Sequence, residues 1–281
     1  ALGHPLIQRK GQFGYDSQAE HATACSFQER RLSMPAKNHI FRGIVILIAC
    51  WGNVVYSQET SETEWISLFN GKDLQGWTIQ CHPDDRDTPF WSVVDGAIEA
   101  NSLDVPKHDY VWLMTEKEYT NFVFAFRFLA FKDSPGNSGI QIRSRYDQET
   151  YWLNGPQIDI NPPEPWRSGM MWDETRGNQR WIYPDIPQGK WVDQSMAPKD
   201  LSFYYAADGC WNEMKITVHG MHVKAVLNGT VVTAFHGEGI LNDALHQKLQ
   251  VGEKGYIALQ IHINDQLKIR YKDLRIKELP N

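Results

Sequence analysis

The sequence predicts an all-β domain, a sandwich or a barrel, over residues 62–280. Short runs rich in Val, Ile, Phe and Trp fill this part of the chain. Turn signals separate the runs at short intervals, among them NGKDLQG (70–76), DSPGNSG (133–139) and HGEG (236–239). The sequence shows no long amphipathic helical pattern and no internal repeat. Many short strands joined by such turns are typical of β-sandwiches and β-barrels, so we expect one domain of this class.

Three segments give the clearest strand patterns. NFVFAFRFLAF (121–131) is apolar at nearly every position, which predicts a central strand covered on both faces. WNEMKITVHG (211–220) alternates apolar and polar residues, as a strand with one buried face does. KAVLNGTVVTAF (224–235) predicts a hairpin, because Asn228-Gly229 suits a type I′ turn between two apolar runs.

The N-terminal residues predict processing signals and lie outside the expected domain. Residues 1–33 are polar and contain no Met, so we expect a disordered or non-native leader. Residues 34–57 resemble a secretory signal peptide, with a basic start and an apolar run too short to span a bilayer. LIAC (47–50) also resembles a bacterial lipobox, which makes Cys50 an alternative site for a lipid anchor. Both alternatives predict a secreted or periplasmic protein of the bacterial cell envelope.

Composition limits the expected partners. The net charge is −6, and acidic and basic residues are mixed along the chain, so we expect no nucleic-acid partner. The eleven Trp residues either pack in the core and loops or offer faces on which sugars bind. Cys81 and Cys210 permit one disulfide in an oxidising compartment. The sequence has no C-x-x-C pair, and its motifs give no support for a structural zinc site, so we expect no cofactor, although a divalent metal stays possible.

Three predicted strands share an unusual polar face. In GIQIRSR (139–145), PQIDI (156–160) and ALQIHIN (258–264), Ile and Leu residues alternate with polar ones. The polar positions are Gln141, Arg143, Arg145, Gln157, Asp159, Gln260 and His262. An ordinary solvated face would carry Lys and Glu, and these three faces carry neither. Amide, carboxylate, imidazole and guanidinium groups form directional hydrogen bonds, which favours a site for a ligand with many hydroxyl groups.

Chemistry on such a face needs an acid, a base and a group that stabilises negative charge. Asp159 and Glu174 are the candidate carboxylates. His262 is a candidate base, because an unperturbed imidazole titrates near neutral pH. Arg143 and Arg176 are candidates for stabilising a developing oxyanion.

Several motifs, in order, resemble those of one known family. They are LFNGKDLQGW (68–77), WSVVDGAI (91–98), GNSGIQIRS (136–144), GPQIDI (155–160), GMMWDETRG (169–177) and ALQIH (258–262). With these motifs the chain resembles the 3-keto-disaccharide hydrolase family of secreted bacterial proteins, over about residues 64–279. No single motif is specific alone, and their order carries the resemblance.

The resemblance implies a concanavalin A-like jelly-roll sandwich of two antiparallel sheets, with the site on the concave sheet. It implies a glycoside substrate whose ring carries a ketone at C3, so that a base can remove the C2 proton and the C1 substituent can leave. His262 or Asp159 is then the expected base, and Arg143 or Arg176 holds the enolate oxygen. Glu174 is expected to position hydroxyl groups or to protonate the leaving group. The expected substrate-binding residues are Gln141, Gln157, Trp172 and Gln260.

Two other functions stay open at this point. A carbohydrate-binding module of the cell envelope would use the same sandwich without chemistry, as lectins do. A structural cell-surface domain would need no site at all. The acid and Arg loop at 172–176 and the imidazole of His262 favour an enzyme, because a lectin needs no base.

Overall fold

Two eight-stranded antiparallel sheets build the part of the chain that the structure describes. This computed structural model describes residues 64–199, 201, 203–206 and 209–281. The expected leader, the signal peptide and Cys50 lie outside the described residues. Apolar residues from both sheets form one core between them, so the expected jelly-roll sandwich is confirmed.

Sheet one contains a long C-terminal strand at its centre. Its strands are β1 (Ile66–Ser67), β3 (Trp91–Val94), β4 (Ala97–Asn101), β6 (Phe122–Pro135), β12 (Asn212–His219), β13 (His222–Leu227), β14 (Thr230–His236) and β16 (Leu267–Glu278). Their order is β14-β13-β12-β6-β16-β4-β3, and β1 pairs with the outer part of β16.

Sheet two contains the three strands whose polar faces the sequence singles out. Its strands are β2 (Trp77–Cys81), β5 (Val111–Thr115), β7 (Ser138–Asp147), β8 (Trp152–Asn154), β9 (Pro156–Ile160), β10 (Met171–Asp173), β11 (Arg180–Tyr183) and β15 (Tyr256–Ile261). Their order is β11-β10-β9-β7-β15-β5-β2, and β8 pairs with the far end of β7. Helix α1 (Ala244–Leu249) and two short 3-10 turns, Pro83–Asp85 and Gln194–Met196, complete the described elements.

The strand β6 supplies the aromatic centre of the core. Phe122, Phe124, Phe126 and Phe128 are almost completely buried between the sheets. On the other face, Ala125 and Leu129 are also buried, whereas Arg127 is exposed. The position of β6 between β12 and β16 confirms the predicted central strand, and its second face is covered except near Arg127.

The predicted hairpin is present between β13 and β14. Asn228 and Gly229 have φ values of 49° and 83°, and both positive angles are required by a type I′ turn. The alternation predicted for 211–220 is also present, because Met214, Ile216 and Val218 are buried. Cys81 is a free thiol, so the Cys81–Cys210 disulfide that the sequence permits is not formed.

A β-bulge in β7 changes the direction of Arg143. Tyr256 pairs with Ser144 and Ala258 pairs with Gln141, so β7 has one residue more than β15 between these pairs. Arg143 takes a positive φ of 48° at this bulge, which breaks the alternation of side chains. Beyond the bulge, the Ser144 hydroxyl donates a hydrogen bond to Gln141 Oε1 over 2.8 Å, which places Ser144 beside Gln141.

Arg143 is therefore a structural residue, and its predicted place on the polar face is wrong. Its guanidinium group is buried and donates to the Thr120 carbonyl over 2.6 Å and to Asn121 Oδ1 over 3.1 Å. It also donates to the carbonyls of Gly220 over 2.6 Å and Gly252 over 3.0 Å. These acceptors lie before β6, in the β12–β13 turn and in the loop before β15. Arg143 thus joins three connections at one end of the sandwich.

Within the described residues, no helix has the length and apolar character needed to cross a membrane.

Replacing Arg143 with Met is expected to destabilise the fold. Each buried acceptor that loses its donor costs about 1–3 kcal/mol, so we expect the free energy of unfolding to fall by about 3–5 kcal/mol. The matched control is Arg127→Met, which removes an exposed ion pair with Asp273 and should cost less than about 1 kcal/mol. Chemical denaturation measures both variants, and equal stability losses would contradict the assignment.

Candidate active site on the polar face of sheet two

Three glutamines and one aspartate lie side by side on the face of sheet two that points away from the core. We call this surface the polar face; it carries Gln141 of β7, Gln157 and Asp159 of β9, and Gln260 of β15. Gln141 pairs directly with Gln157, and Asp159 pairs with Gly139. Because β9, β7 and β15 are neighbours, the predicted merging of the three strand faces is confirmed. All four side chains are buried, with at most 3% exposed.

Gly139 makes room for Gln157 on this face. A Cβ atom at position 139 would lie 2.3 Å from Gln157 Cδ, which is far inside contact distance. The Gln157 side chain therefore lies across β7 at the one position where a strand residue has no side chain. This contact holds the amide of Gln157 beside Asp159 on the same strand.

Aromatic rings from β5 and β8 bound the other side of the polar face. Trp112 pairs with Gln260 across β5 and β15. Tyr110 stacks on Trp112 with ring centroids 5.4 Å apart, and Trp152 meets Tyr110 edge-on at 4.8 Å. These residues are not evident as site residues from the sequence, because DYVWLM (109–114) has the pattern of an ordinary apolar strand. The one sequence feature that indicates them is the alternation that places Tyr110, Trp112 and Met114 on the same face of the strand.

His262 lies one residue beyond β15, within reach of Tyr110 and Asp265. Its Nε2 atom is 3.0 Å from the Tyr110 hydroxyl, and its Nδ1 atom forms an ion pair at 3.6 Å with Asp265. Burial alone would lower the pKa of His262, but the carboxylate of Asp265, with those of Glu174 and Asp159, raises it above the usual value. These carboxylates therefore shift the imidazole towards its charged form.

Asp159 and Glu174 are buried carboxyl groups with strongly raised pKa values. Burial raises the pKa of Asp159 to about 7, against the opposing charges of Arg167 and His262. Burial likewise raises the pKa of Glu174 to about 7, and the neighbouring Asp173 contributes in the same direction. His262 interacts electrostatically with both carboxyl groups, so the structure brings these three predicted site residues together.

Several buried polar atoms of this region have no hydrogen-bond partner among the residues that the structure describes. They are Gln157 Oε1, both amide atoms of Gln260, Trp112 Nε1, Asn137 Oδ1 and Arg167 Nε. Buried polar groups are nearly always paired, because each unpaired one costs free energy. The unpaired atoms include donors and acceptors, so the polar face suits a ligand with many hydroxyl and carbonyl groups.

The other predicted residues lie at the edge of this cluster. Trp172 pairs with Gln157, and its side chain is close enough to the Glu174 carboxylate to oppose the rise in the pKa of that group. Arg176 is exposed, with its guanidinium carbon 4.5 Å from the centre of the Trp152 ring. The structure therefore places Arg176 at the rim of the polar face.

Arg167, rather than Arg143, is the arginine whose charge acts on Asp159. Its charge opposes the rise in the pKa of Asp159, and its Nη2 atom donates to Asn161 Oδ1 over 2.6 Å. The sequence did not single it out, because it follows the proline-rich turn NPPEPW (161–166), which carries no strand pattern. Only the return of this loop to β9 brings Arg167 back to Asp159.

A buried charge network supports the loop that carries Glu174. His246 of α1 is fully buried, with Nε2 3.3 Å from Asp173 Oδ2 and Nδ1 2.9 Å from Asp243 Oδ1. Asp173 also accepts a hydrogen bond from the backbone of Thr175 over 3.0 Å. These contacts flank Glu174 on both sides, so α1 fixes the path of the chain at this residue.

Aromatic and backbone contacts hold the same loop against β8. The Trp152 indole donates to the Glu174 carbonyl over 2.9 Å, and the Glu174 amide donates to the Gly155 carbonyl over 3.0 Å.

Across the described ranges, no group of three or more His, Cys, Asp or Glu residues is arranged to hold a metal ion.

Several solved structures are similar to this chain. Two are crystal structures of proteins from Parabacteroides distasonis ATCC 8503, each described as a candidate glycosyl hydrolase. One is 20% identical, with 81% of this chain and 99% of that chain covered and a TM-score of 0.49. The other is 22% identical, with 77% and 100% covered and a TM-score of 0.49. The carbohydrate-binding module CBM66 from Bacillus subtilis is 11% identical, with 72% and 96% covered and a TM-score of 0.46.

No curated protein matches the chain. The sequence profile of one family, described as the 3-keto-alpha-glucoside-1,2-lyase-like domain, matches residues 64–277. This range covers nearly all of the described sandwich and contains every residue of the polar face. The resemblance drawn from the sequence motifs is confirmed, and the chain belongs to the family of 3-keto-alpha-glucoside-1,2-lyase-like domains.

Proposed function

We propose that the polar face binds a glycoside whose ring carries a ketone at C3, and that Asp159 removes the proton at C2. The observation that carries this proposal is the pair of buried carboxyl groups, Asp159 and Glu174, with pKa values raised to about 7 beside one imidazole. Groups that titrate near the working pH are the most effective general acids and bases. Membership of the family supports the choice of substrate.

The C3 ketone makes the proposed reaction possible. It acidifies the C2 hydrogen, so a base takes that proton and the electron pair forms an enolate. The enolate then expels the C1 substituent, whose oxygen takes a proton as the C1–O bond breaks. The sugar becomes a 1,2-unsaturated ketone, and addition of water across this double bond gives net hydrolysis. Lyase and hydrolase outcomes therefore share one first step.

The charges around the two carboxyl groups assign their roles. Two cations, Arg167 and His262, oppose the rise in the pKa of Asp159, and the carboxylate of Glu174 adds to it, so we assign the role of the base to Asp159. For Glu174, His262 is the single cation that opposes the rise in the pKa, beside the hydrogen bonds of Gln179 and Trp172, and Asp173 adds to the rise, so we assign the protonated form to Glu174. Glu174 is accordingly the acid that protonates the leaving group.

His262 fits the stabilisation of the enolate better than the role of base. Its raised pKa shifts the imidazole towards the imidazolium form, and an imidazolium cannot accept a proton. A charged His262 donates from Nε2 to the Tyr110 oxygen, 3.0 Å away, which leaves the Tyr110 hydroxyl to donate to a developing oxyanion. Gln141, Gln157 and Gln260 are assigned to hydroxyl groups of the bound ring, and Arg176 to the outer part of the substrate.

A second candidate function is carbohydrate binding without chemistry. The unpaired amide atoms of Gln157 and Gln260 and the flanking aromatic rings suit sugar recognition by themselves. The two functions differ in outcome, because a binding module retains a 3-keto-glycoside and releases no leaving group.

Secretion or a periplasmic location, expected from residues 34–57, stays a prediction.

Replacing Asp159 with Asn is expected to lower turnover of a 3-keto-glucoside by at least about 10³-fold, because the C2 proton loses its base. Release of the aglycone from an aryl 3-keto-glucoside measures turnover. The matched control is Asp273→Asn, an exposed carboxylate of sheet one, which should keep full activity. Unchanged turnover in Asp159→Asn, or equal turnover of the unoxidised aryl glucoside by the wild type, would reject the proposal.

The pH dependence of turnover is expected to be bell-shaped, with its maximum near neutral pH. Activity rises with pH as Asp159 loses its proton and falls at higher pH as Glu174 loses the proton it must donate, since both pKa values are about 7.

In Glu174→Gln, a nitrophenyl leaving group should restore most of the activity that an alkyl leaving group loses, because nitrophenolate needs no protonation. Equal losses for the two substrates would remove Glu174 from the role of acid.

The Asp159→Asn variant is also expected to be more stable than the wild type at high pH. A folded-state pKa of about 7, raised from 3.8, means that ionisation at Asp159 destabilises the fold as the pH rises through this interval. The gain in free energy of unfolding should be roughly 1–4 kcal/mol at pH 8 and much smaller at pH 4. Thermal unfolding at both values measures it, and a gain independent of pH would contradict the raised pKa.

A further inference from the structure

Three histidines lie in one row at the β14 edge of sheet one. The sequence HGMH (219–222) places His219 at the end of β12 and His222 at the start of β13, and His236 ends β14. His219 pairs with His222, and His222 pairs in turn with His236. Because side chains directly opposite each other in antiparallel strands share a face, the three imidazoles lie on one face of the sheet.

This row of histidines lies on the face of sheet one that points away from the core. Val218 and Val223, which adjoin His219 and His222 in the chain, are buried, whereas the three histidines are exposed. Successive residues of a strand alternate between its two faces. The polar face belongs to sheet two, on the other side of the core, so the sandwich separates the row from the proposed catalytic groups.

The imidazole rings of His222 and His236 are in contact. Their centroids are 4.3 Å apart, and the ring planes are inclined by 56°. Two imidazoles that bind one metal ion at neighbouring positions have a comparable separation, because each nitrogen lies about 2.0–2.1 Å from the metal. Exposed side chains rotate readily, so the two rings can direct one nitrogen each to a common point without a movement of the backbone.

Hydrogen bonds fix the backbone beneath this histidine pair. The strand β13 is paired along both edges, with β12 and with β14. Just beyond the pair, the Gly237 amide donates to the Met221 carbonyl over 2.9 Å. The turn before β13 is held by the buried Arg143, which donates to the Gly220 carbonyl over 2.6 Å. A fixed backbone lowers the entropy lost when two ligands are brought to one ion.

The surroundings of the pair leave it accessible to an ion from solvent. The next pair on the same face is Lys224 with Ala234, and the methyl group of Ala234 is too small to cover the rings. The ammonium group of Lys224 repels cations, but it is exposed, so water and salt screen it. Since the described residues include no arranged group of three or more such ligands, water would complete the coordination of an ion bound here.

We propose that His222 and His236 bind one divalent ion of a late transition metal, namely Cu²⁺, Ni²⁺ or Zn²⁺. Imidazole nitrogen suits these ions, whereas Mg²⁺ and Ca²⁺ prefer oxygen ligands. Among the three, Cu²⁺ binds most tightly to a given set of nitrogen ligands. Structural zinc sites have four protein ligands, and this one has two, so neither the fold nor turnover at the polar face depends on the ion.

Titration with the Cu²⁺ complex of iminodiacetate tests this site. Iminodiacetate occupies three positions of the ion and leaves neighbouring positions that two imidazoles fill together. We expect His222→Ala and His236→Ala each to weaken binding at least about tenfold, because the second imidazole of a pair binds at a high effective concentration. The matched control is His219→Ala, an exposed histidine of the same row, which should keep the affinity of the wild type. Isothermal calorimetry measures all four proteins.

Electron paramagnetic resonance of the bound Cu²⁺ identifies its ligands independently of affinity. The wild type should show coupling to the nitrogens of two imidazoles, and His222→Ala or His236→Ala to those of one at most. Binding of Mg²⁺ should be undetectable at the concentrations that saturate the pair with Cu²⁺.

Equal affinities in the wild type, His222→Ala and His236→Ala would overturn the site, because the ion would then bind elsewhere on the chain. A loss in His219→Ala as large as that in the other two variants would overturn the assignment of His222 and His236 as the two ligands. Turnover of a 3-keto-glucoside should be equal in all four proteins, so the failure of the proposed function would leave this test unaffected.

Discussion

The burial of two carboxyl groups beside one imidazole is the constraint on which the rest of the site depends. Asp159 and Glu174 titrate near neutral pH because they are removed from water, and they stay removed only if their surroundings are rigid. Asp159 is fixed by its position inside sheet two, between the central strand β7 and β10. Glu174 lies in a loop, and the contacts of Trp152 and His246 on either side supply the rigidity that a strand would give.

Both sheets contribute to the core, but only sheet two carries the candidate site on its outer face. Sheet one gives its apolar side to the core and carries ordinary exposed ion pairs, such as that of Arg127, on its other side. Sheet two gives Ile140, Ile158 and Leu259 to the same core and so presents the intervening glutamines and Asp159 on its opposite face. The unpaired atoms of this face lower the stability of the free protein, and the fold tolerates them because the aromatic core is large.

Periodicity predicts an all-β sandwich or barrel and half of the candidate site, and the family resemblance implies the two antiparallel sheets. Alternation along regular strands identifies Gln141, Gln157, Asp159 and Gln260, because side chains two residues apart must share a face. The same rule misplaces Arg143, since a bulge and a positive φ are not visible in the alternation. It also misses Arg167, which returns to the site through a proline-rich loop, and the aromatic residues of β5, whose pattern equals that of a core strand. Periodicity thus predicts which side chains a regular strand places on one face. The positions of side chains in loops and at bulges are known only from the structure.

Exchange of the C2 proton with solvent tests the central claim most directly. In D₂O, methyl 3-keto-glucoside incubated with Glu174→Gln should acquire deuterium at C2 while its methoxyl group leaves slowly, because Asp159 still removes the proton and the acid is absent. Asp159→Asn should give no enzyme-dependent exchange, and proton NMR of the substrate measures both rates. Exchange at the wild-type rate in Asp159→Asn would contradict the assignment of Asp159 as the base and the function proposed for the polar face.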